Sequence, residues 1–495
     1  MSLTRRGLLT VTGATGMAMI AGCGRPEDGP GTGELVTSEL PLPPRFQVEL
    51  PLPPVARPTR VSATADHYTV TQRATEIEII PGTRTGIWGF DGVFPGPTFR
   101  GRSGREMVVT VRNELPVPTS THLHGGVTPA ESDGFPTDLI LPAGYSPPPP
   151  DHHGAGGRHH DTSRDYRYPL NQPAATLWYH DHRMDFTGPQ VWRGLAGMFL
   201  VTDAHEESLP LPRDDRDLPL MICDRAFEAD GSFRYPAHGG AAMPGAFGDV
   251  ILVNGAPWPR AEVAAVRYRL RLVNGSNARR YRLRLERGAL TRIGSDTGLL
   301  AAPAPCEDVL LAPGERADVI ADFTGLAAGT EVTLRNTIGA GPADAVMRFV
   351  VTGPAADDSR IPERLGDVEV LHRGLAVTER QFDFRFGAGR WQINNVPYDP
   401  AGSLCAPRLG TVELWRFTSD FHHPVHVHMA HFQVLSRGAR GPEPADAGWK
   451  DTVDVRPYET VQVLVRFAGY RGRYMLHCHN LEHEDMAMMA NFDVL

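Results

Sequence analysis

Along most of this chain, apolar residues recur at every second position or in short unbroken runs. TEIEII, EMVVTVRNEL, PLMICD, DVILVNG, YRLRLVNGS, ADVIADF, VELWRF, FQVLSR and TVQVLVRF all read this way. Alternation with period two places one face of a strand against a core and the other in water, while a short apolar run suits a strand buried on both faces. Turn residues such as GFDGVFPGP separate the segments at short spacing. No helical periodicity of any length competes. The pattern predicts an all-β protein built of Greek-key β-sandwiches.

A chain of 495 residues is too long for one core. Three β-rich blocks are expected, over residues 61–205, 206–355 and 356–495. Residues 24–60 are rich in Pro and Gly, and include LPLPPRFQVELPLPP. They read as a tether followed by an extended arm.

Composition adds little until the first residues are considered. Hydrophobic residues at 41% and charged residues at 22% are ordinary for a globular protein. No run of about 18 apolar residues appears, so no transmembrane helix is expected. The net charge of −9 argues against a nucleic-acid partner. Lys450 is the single lysine, so arginine carries nearly all the positive charge. At the N-terminus, Arg5 and Arg6 precede a weakly apolar stretch that ends in IAGC at Cys23. Residues 1–23 therefore read as a twin-arginine export signal with a lipobox. This predicts a protein at the outer face of the cytoplasmic membrane, in the cell envelope or secreted, touching membrane only through an acyl anchor on Cys23. A plain signal peptide with a chance cysteine is the bland reading. Nothing here sets the oligomeric state. Cys223 and Cys306 are conceivable disulfide partners in an exported protein, but buried free thiols are preferred, for Cys405 as well.

Ten of the twenty histidines fall in four short clusters. They are THLHGG (His122, His124), WYHDH (His180, His182), HPVHVH (His423, His426, His428) and HCHNLEH (His477, His479, His483). A lone HxH is often just structural. On a strand, however, residues i and i+2 face the same way, so each HxH aims two imidazoles at one point. Four such pairs supply eight imidazoles, enough for several metal ions. Cys478, between His477 and His479, has the opposite parity, and so does His423 relative to His426 and His428. On that other face Cys478 would meet His423, His483 and Met488. Two His, one thiolate and a weak Met are the ligand set of a blue-copper electron-transfer site.

In order and spacing, the four clusters resemble the copper-binding motifs of the multicopper oxidase family, over about residues 60–495. THLHGGVTPAESDGFP, LWYHDHRM, ILVNG and GRYMLHCHNLEHEDMAMM are most similar to bacterial spore-coat laccases and bilirubin oxidases. Leu123 stands where many members carry Trp. The resemblance implies three cupredoxin domains and four copper ions. Type 1 copper would take His423, Cys478, His483 and Met488. Type 2 copper would take His122 and His426. The type 3 pair would take His124, His180, His182, His428, His477 and His479. It also implies a small-molecule reductant, phenolic, aminophenolic or of bilirubin type, with O2 as acceptor and His483 beside the reductant in shallow loops. Asp133 and Glu484 match positions that handle protons. Their bland readings are an Asp-Gly turn and a surface Glu on a short helix.

Other features read as ordinary structure. Met486 and Met489 are expected in the core, and His422 as an exposed neighbour of a ligand. His67, His205, His238, His372 and His431 have no sequence partner. The loop YSPPPPDHHGAGGRHHD, residues 145–161, reads as an insertion, or else as a weak copper-capturing loop. Three other functions compete. A cuprous oxidase would usually carry a Met-rich segment in the third block, yet between Trp449 and Leu476 there is only Met475. An aminophenol-coupling oxidase stays open. A copper-binding scaffold would be expected to lose ligands, and this chain retains every one.

Overall fold

The computed structural model of the chain describes residues 29–145, 157–236 and 243–495. The export signal with Cys23, most of the His-rich loop and His238 lie outside the described residues.

The strongest alternation makes one-sided strands. Ser163–Tyr168 alternates exposed and buried along its whole length and pairs with Glu106–Asn113. Those strands, with Ala65–Ile77, Arg60–Val61 and Thr85–Phe90, form one sheet. A four-stranded sheet, Gly96–Arg102, Ala196–Thr202, Ala175–Asp181 and Thr121–His124, packs against it. Between them lies a core that includes Tyr68, Phe90, Phe99, Tyr179 and Phe199. The rings of Tyr68, Phe90, Phe99 and Tyr179 meet edge-on, as the ring quadrupole favours.

The pattern repeats twice. An eight-stranded and a five-stranded sheet, spanning Asp217–Phe227 to Ala345–Gly353, enclose the second core. A five-stranded and a four-stranded sheet, from Ala376–Gly387 to Met489–Val494, enclose the third. Residues 354–372, between the last two sandwiches, contain no strand. The N-terminal arm is fastened along its length. Glu34–Val36 pairs in parallel with Ala246–Gly248, and Glu49 bridges to Arg260.

The strands that carry the histidines break the alternation. Thr121–His124, Ala175–Asp181 and His423–Val427 are buried at every position. One face meets its own core and the other meets a neighbouring sandwich. Trp178, Met198, Met221, Val273 and Leu481 form a small apolar cluster joining all three sandwiches. Among the described residues three short α-helices also occur, Thr187–Trp192, Ala204–Ser208 and Leu481–Asp485, too brief for periodicity to announce.

Candidate metal centre

Strand register places the imidazoles. His122 lies directly opposite His180 across one antiparallel pair. In the third sandwich His426 lies opposite His477, and Cys478 opposite Val425. The parity argument therefore holds: His426 and His477 share a face, while Cys478 takes the other. The first face meets the first sandwich. Three trios of ring nitrogens converge there, from His122, His124 and His426, from His124, His180 and His479, and from His182, His428 and His477. All eight residues are at most 1% exposed.

Hydrogen bonding dictates which nitrogen each ring offers. His122 Nδ1 donates to the Asp133 carbonyl at 2.6 Å, and His426 Nδ1 to the Asp451 carbonyl at 3.0 Å. Their Nε2 atoms then face each other as lone pairs, 3.4 Å apart. His428 Nδ1 is held by Asp133 at 2.7 Å and His477 Nδ1 by the Cys478 carbonyl at 3.1 Å, and their Nε2 atoms converge to 3.0 Å. His180 Nδ1 donates to the Asp181 carbonyl, leaving Nε2 buried without a partner. His479 has both ring nitrogens buried and unpartnered. His124 is inverted: Nε2 is held by Asp451 at 3.1 Å and Thr452 at 3.0 Å, and Nδ1 has no partner. An unmade hydrogen bond in such a place costs about 1–3 kcal/mol. Lone pairs converging in a dry interior call for a cation. Burial also keeps His477, His182 and His426 neutral and ready to ligate, pushing the first two down to about 3 and the third to about 4.

The opposite face holds a smaller site. His423 Nδ1, His483 Nδ1 and Cys478 Sγ stand 3.2–3.5 Å from one another. The centre of a triangle with those sides lies about 2 Å from each corner, which suits a trigonal His2Cys copper site. Asp420 holds His423 Nε2 at 3.1 Å, and the Pro244 carbonyl holds His483 Nε2 at 3.1 Å. Met488 is fully buried, its N–H donating to the His483 carbonyl. The Met486 thioether instead accepts the Met243 N–H at 3.1 Å.

Both acids singled out in the sequence reach the imidazole cluster. Asp133 contacts His428 and, at 3.3 Å, His122. Burial alone would raise its pKa, but those two imidazoles hold it well below the usual carboxylate range. Glu484 is buried, not on the surface, because its helix is roofed by Thr187–Trp192. Its carboxylate lies 3.4 Å from His182 Nδ1 and 3.2 Å from His477 Nδ1. Burial pushes it up, against the pull of His182.

Several expectations change. His422 is buried and stands 3.4 Å from Asp454 rather than in solvent. His483 is fully buried, its Nε2 facing the Pro244 carbonyl and its ring stacked on Trp391 at 3.7 Å. As preferred, Cys223, Cys306 and Cys405 are free thiols, though only Cys223 of the three is buried; Cys478 is likewise free and buried. Met489 is core, as read, and His205 and His431 are structural, each donating from Nε2 to a backbone carbonyl, of Leu365 and of Gly125. Sequence reading missed Trp391, Asp420, Asp451 and Thr452. Only Asp420, three residues before His423, had any local signal.

Residues 71–146, 159–206 and 375–495 match the multicopper oxidase family profile. The chain belongs to that family, and copper is the metal its imidazoles and thiolate suit. A laccase of Bacillus stratosphericus is 34% identical over 91% of this chain and 99% of its own length. A bilirubin oxidase of Albifimbria verrucaria is 35% identical over 94% of this chain and 85% of its own. A solved laccase of Pediococcus acidilactici superposes with a TM-score of 0.82 at 30% identity, covering 92% of this chain and 95% of that one. With the site intact, the protein is a laccase-like copper oxidoreductase that uses O2 as acceptor.

Proposed function

We propose that the chain carries four copper ions: one that His423, Cys478, His483 and Met488 would hold, and three that the imidazole cluster would hold. In this reading type 2 copper sits between His122 and His426. The type 3 pair divides between His124, His180 and His479 on one side and His182, His428 and His477 on the other. The convergence of buried nitrogen lone pairs carries this reading. Bound copper supplies one-electron uptake from a reductant and four-electron reduction of O2 to water. The protein's own part is to join and serve the two sites. Cys478 and its neighbours His477 and His479 connect them through covalent bonds. Asp133 and Glu484 stand where the protons for water formation are needed.

The donors we infer are phenols, aminophenols or bilirubin-type tetrapyrroles. The relatives named laccase and bilirubin oxidase support this. The lone Met475 between Trp449 and Leu476 speaks against a cuprous oxidase. Steady-state rates for a phenol, bilirubin and Cu(I) on copper-loaded protein test the choice. One of the organic donors should be fastest; a lead for Cu(I) would overturn the reading. Arg5-Arg6 and the IAGC segment support twin-arginine export with an acyl anchor on Cys23. Cys23→Ala should then release the protein from the membrane fraction.

A further inference from the structure

Among the described residues the middle sandwich gives no imidazole to the cluster, yet one of its loops reaches it. Gly314 sits at φ +83°, and a Cβ there would lie 2.9 Å from His124 and 3.1 Å from His479. Only a glycine lets this backbone lie against both rings. Two residues on, Arg316 is fully buried and touches all three sandwiches. Its Nε donates to the Thr176 carbonyl of the first at 3.1 Å. Within the second, it donates to the carbonyls of Gly314 and Asp296. Its Nη1 and Nη2 grip both carboxylate oxygens of Asp451 in the third, at 2.7 and 2.5 Å.

Asp451 is the residue that inverts His124. Its Oδ1 lies 3.1 Å from His124 Nε2 and 2.8 Å from the Thr452 hydroxyl, which is itself 3.0 Å from the same nitrogen. Its backbone carbonyl also holds His426 Nδ1. Lys450, the single lysine, sits one residue away, pairing with Asp296 at 2.9 Å and Glu315 at 3.1 Å. A buried charge group of this kind is weak grounds for stability, since hydrophobic replacements often do as well. Its geometry points elsewhere. The Arg316 fork fixes the plane of the Asp451 carboxylate, and that plane decides which edge of His124 faces inward.

We propose that Arg316 is a positioning residue of the imidazole cluster, acting through Asp451 to set His124 with Nδ1 toward the metal. The middle sandwich thereby helps build a site to which it supplies no ligand. The inference rests on the copper assignment proposed above.

The test uses copper-loaded full-length protein, with copper per chain, the blue band and the near-ultraviolet absorption of the cluster as readouts. Arg316→Met keeps the length of the side chain without its fork. It should retain the blue band, lose at least one copper equivalent per chain, and lose the cluster absorption. Arg316→Lys restores charge without the two-point grip and should recover part of the cluster copper. The double variant Arg316→Met/Asp451→Asn leaves no unpaired buried charge and should still lose cluster copper. Full copper with unchanged cluster absorption in Arg316→Met or in the double variant overturns the proposal. So does joint loss of blue band and cluster, or failure of both variants to fold, since that is a general folding role. Wild-type protein lacking the blue band would defeat the copper assignment itself, a distinct result.

Discussion

The two metal sites lie on opposite faces of the same pair of strands but are held in different ways. The His423–Cys478–His483 site draws its ligands from the third sandwich, and among the described residues the second reaches it through the Pro244 carbonyl on His483 and the Met243 N–H on Met486. The imidazole cluster is an interface. The first and third sandwiches each supply four of its rings, and two of the rings are oriented by carboxylates from the other sandwich. His428 is oriented by Asp133, and His124 by Asp451. A site inside one core inherits that core's rigidity. A site between cores is only as well defined as the contacts that dock them, which explains the density of buried charge pairs there. Arg280–Asp454 and Lys450–Asp296 both span the second and third sandwiches.

The largest expected effect falls on the atom shared by both. Cys478→Ser should abolish the blue band and reduce oxidase turnover below detection while the sandwiches stay folded, because the thiolate is both ligand and covalent link. A blue or active Ser variant would remove the comparison's premise. Next come the acids that serve the interface site alone. Asp133→Asn and Glu484→Gln should keep the blue colour and its rapid anaerobic bleaching, yet slow reoxidation by O2 about 100- to 10,000-fold. Reoxidation at the wild-type rate would leave these acids only structural. Copper loss would show that they chiefly orient ligands.

Acid should also act mainly on the interface. In the metal-free protein, burial holds His477 and His182 near about 3 and His426 near about 4. Unfolded histidine titrates near about 6.5. Below that pH the unfolded chain takes up protons that the fold refuses, so stability present at neutral pH is lost as pH falls toward the folded values. Each such ring contributes about 1.4 kcal/mol per pH unit. Asp181, raised by burial to about 7, and Glu484 and Asp485, also raised, act in the opposite sense. With His124, His180, His428, His479 and His483, which burial also lowers, the neutral rings outnumber the raised acids, Glu315 and Glu482 included, so the urea midpoint of metal-free protein should drop between pH 7 and pH 4. A constant midpoint would mean that these rings are not held neutral.

The smallest effect concerns the third sandwich alone. Met488→Leu nearly conserves volume and should cost less than about 1.5 kcal/mol. Without thioether donation the blue copper should become harder to oxidise, so its potential should rise while the cluster is untouched. Met486→Leu should leave the potential unchanged, because the Met486 sulfur is engaged by the Met243 N–H. The reverse pair of results would reassign the axial ligand.

Much of this protein was legible along the chain. Period-two alternation marked the strands, and residue parity alone separated Cys478 and His423 from the HxH pairs. Both depend on the strand geometry of a few consecutive residues, which any environment preserves. Periodicity marked none of the short helices, because one turn and a half shows no period; only the one at Glu484 was legible, as part of that residue's surface alternative. Glu484 read equally well as a surface acid, since its roof comes from residues 187–192, nearly three hundred positions earlier. Sequence by itself determined the donor types, their pairing in twos and the face each would take. Tertiary structure alone decided which nitrogen each ring presents, that His422 and His483 are covered, and that Arg316 of a ligand-free sandwich grips Asp451. Ring orientation depends on a hydrogen-bond partner within about 3 Å, and for His124 that partner lies 327 residues further along the chain.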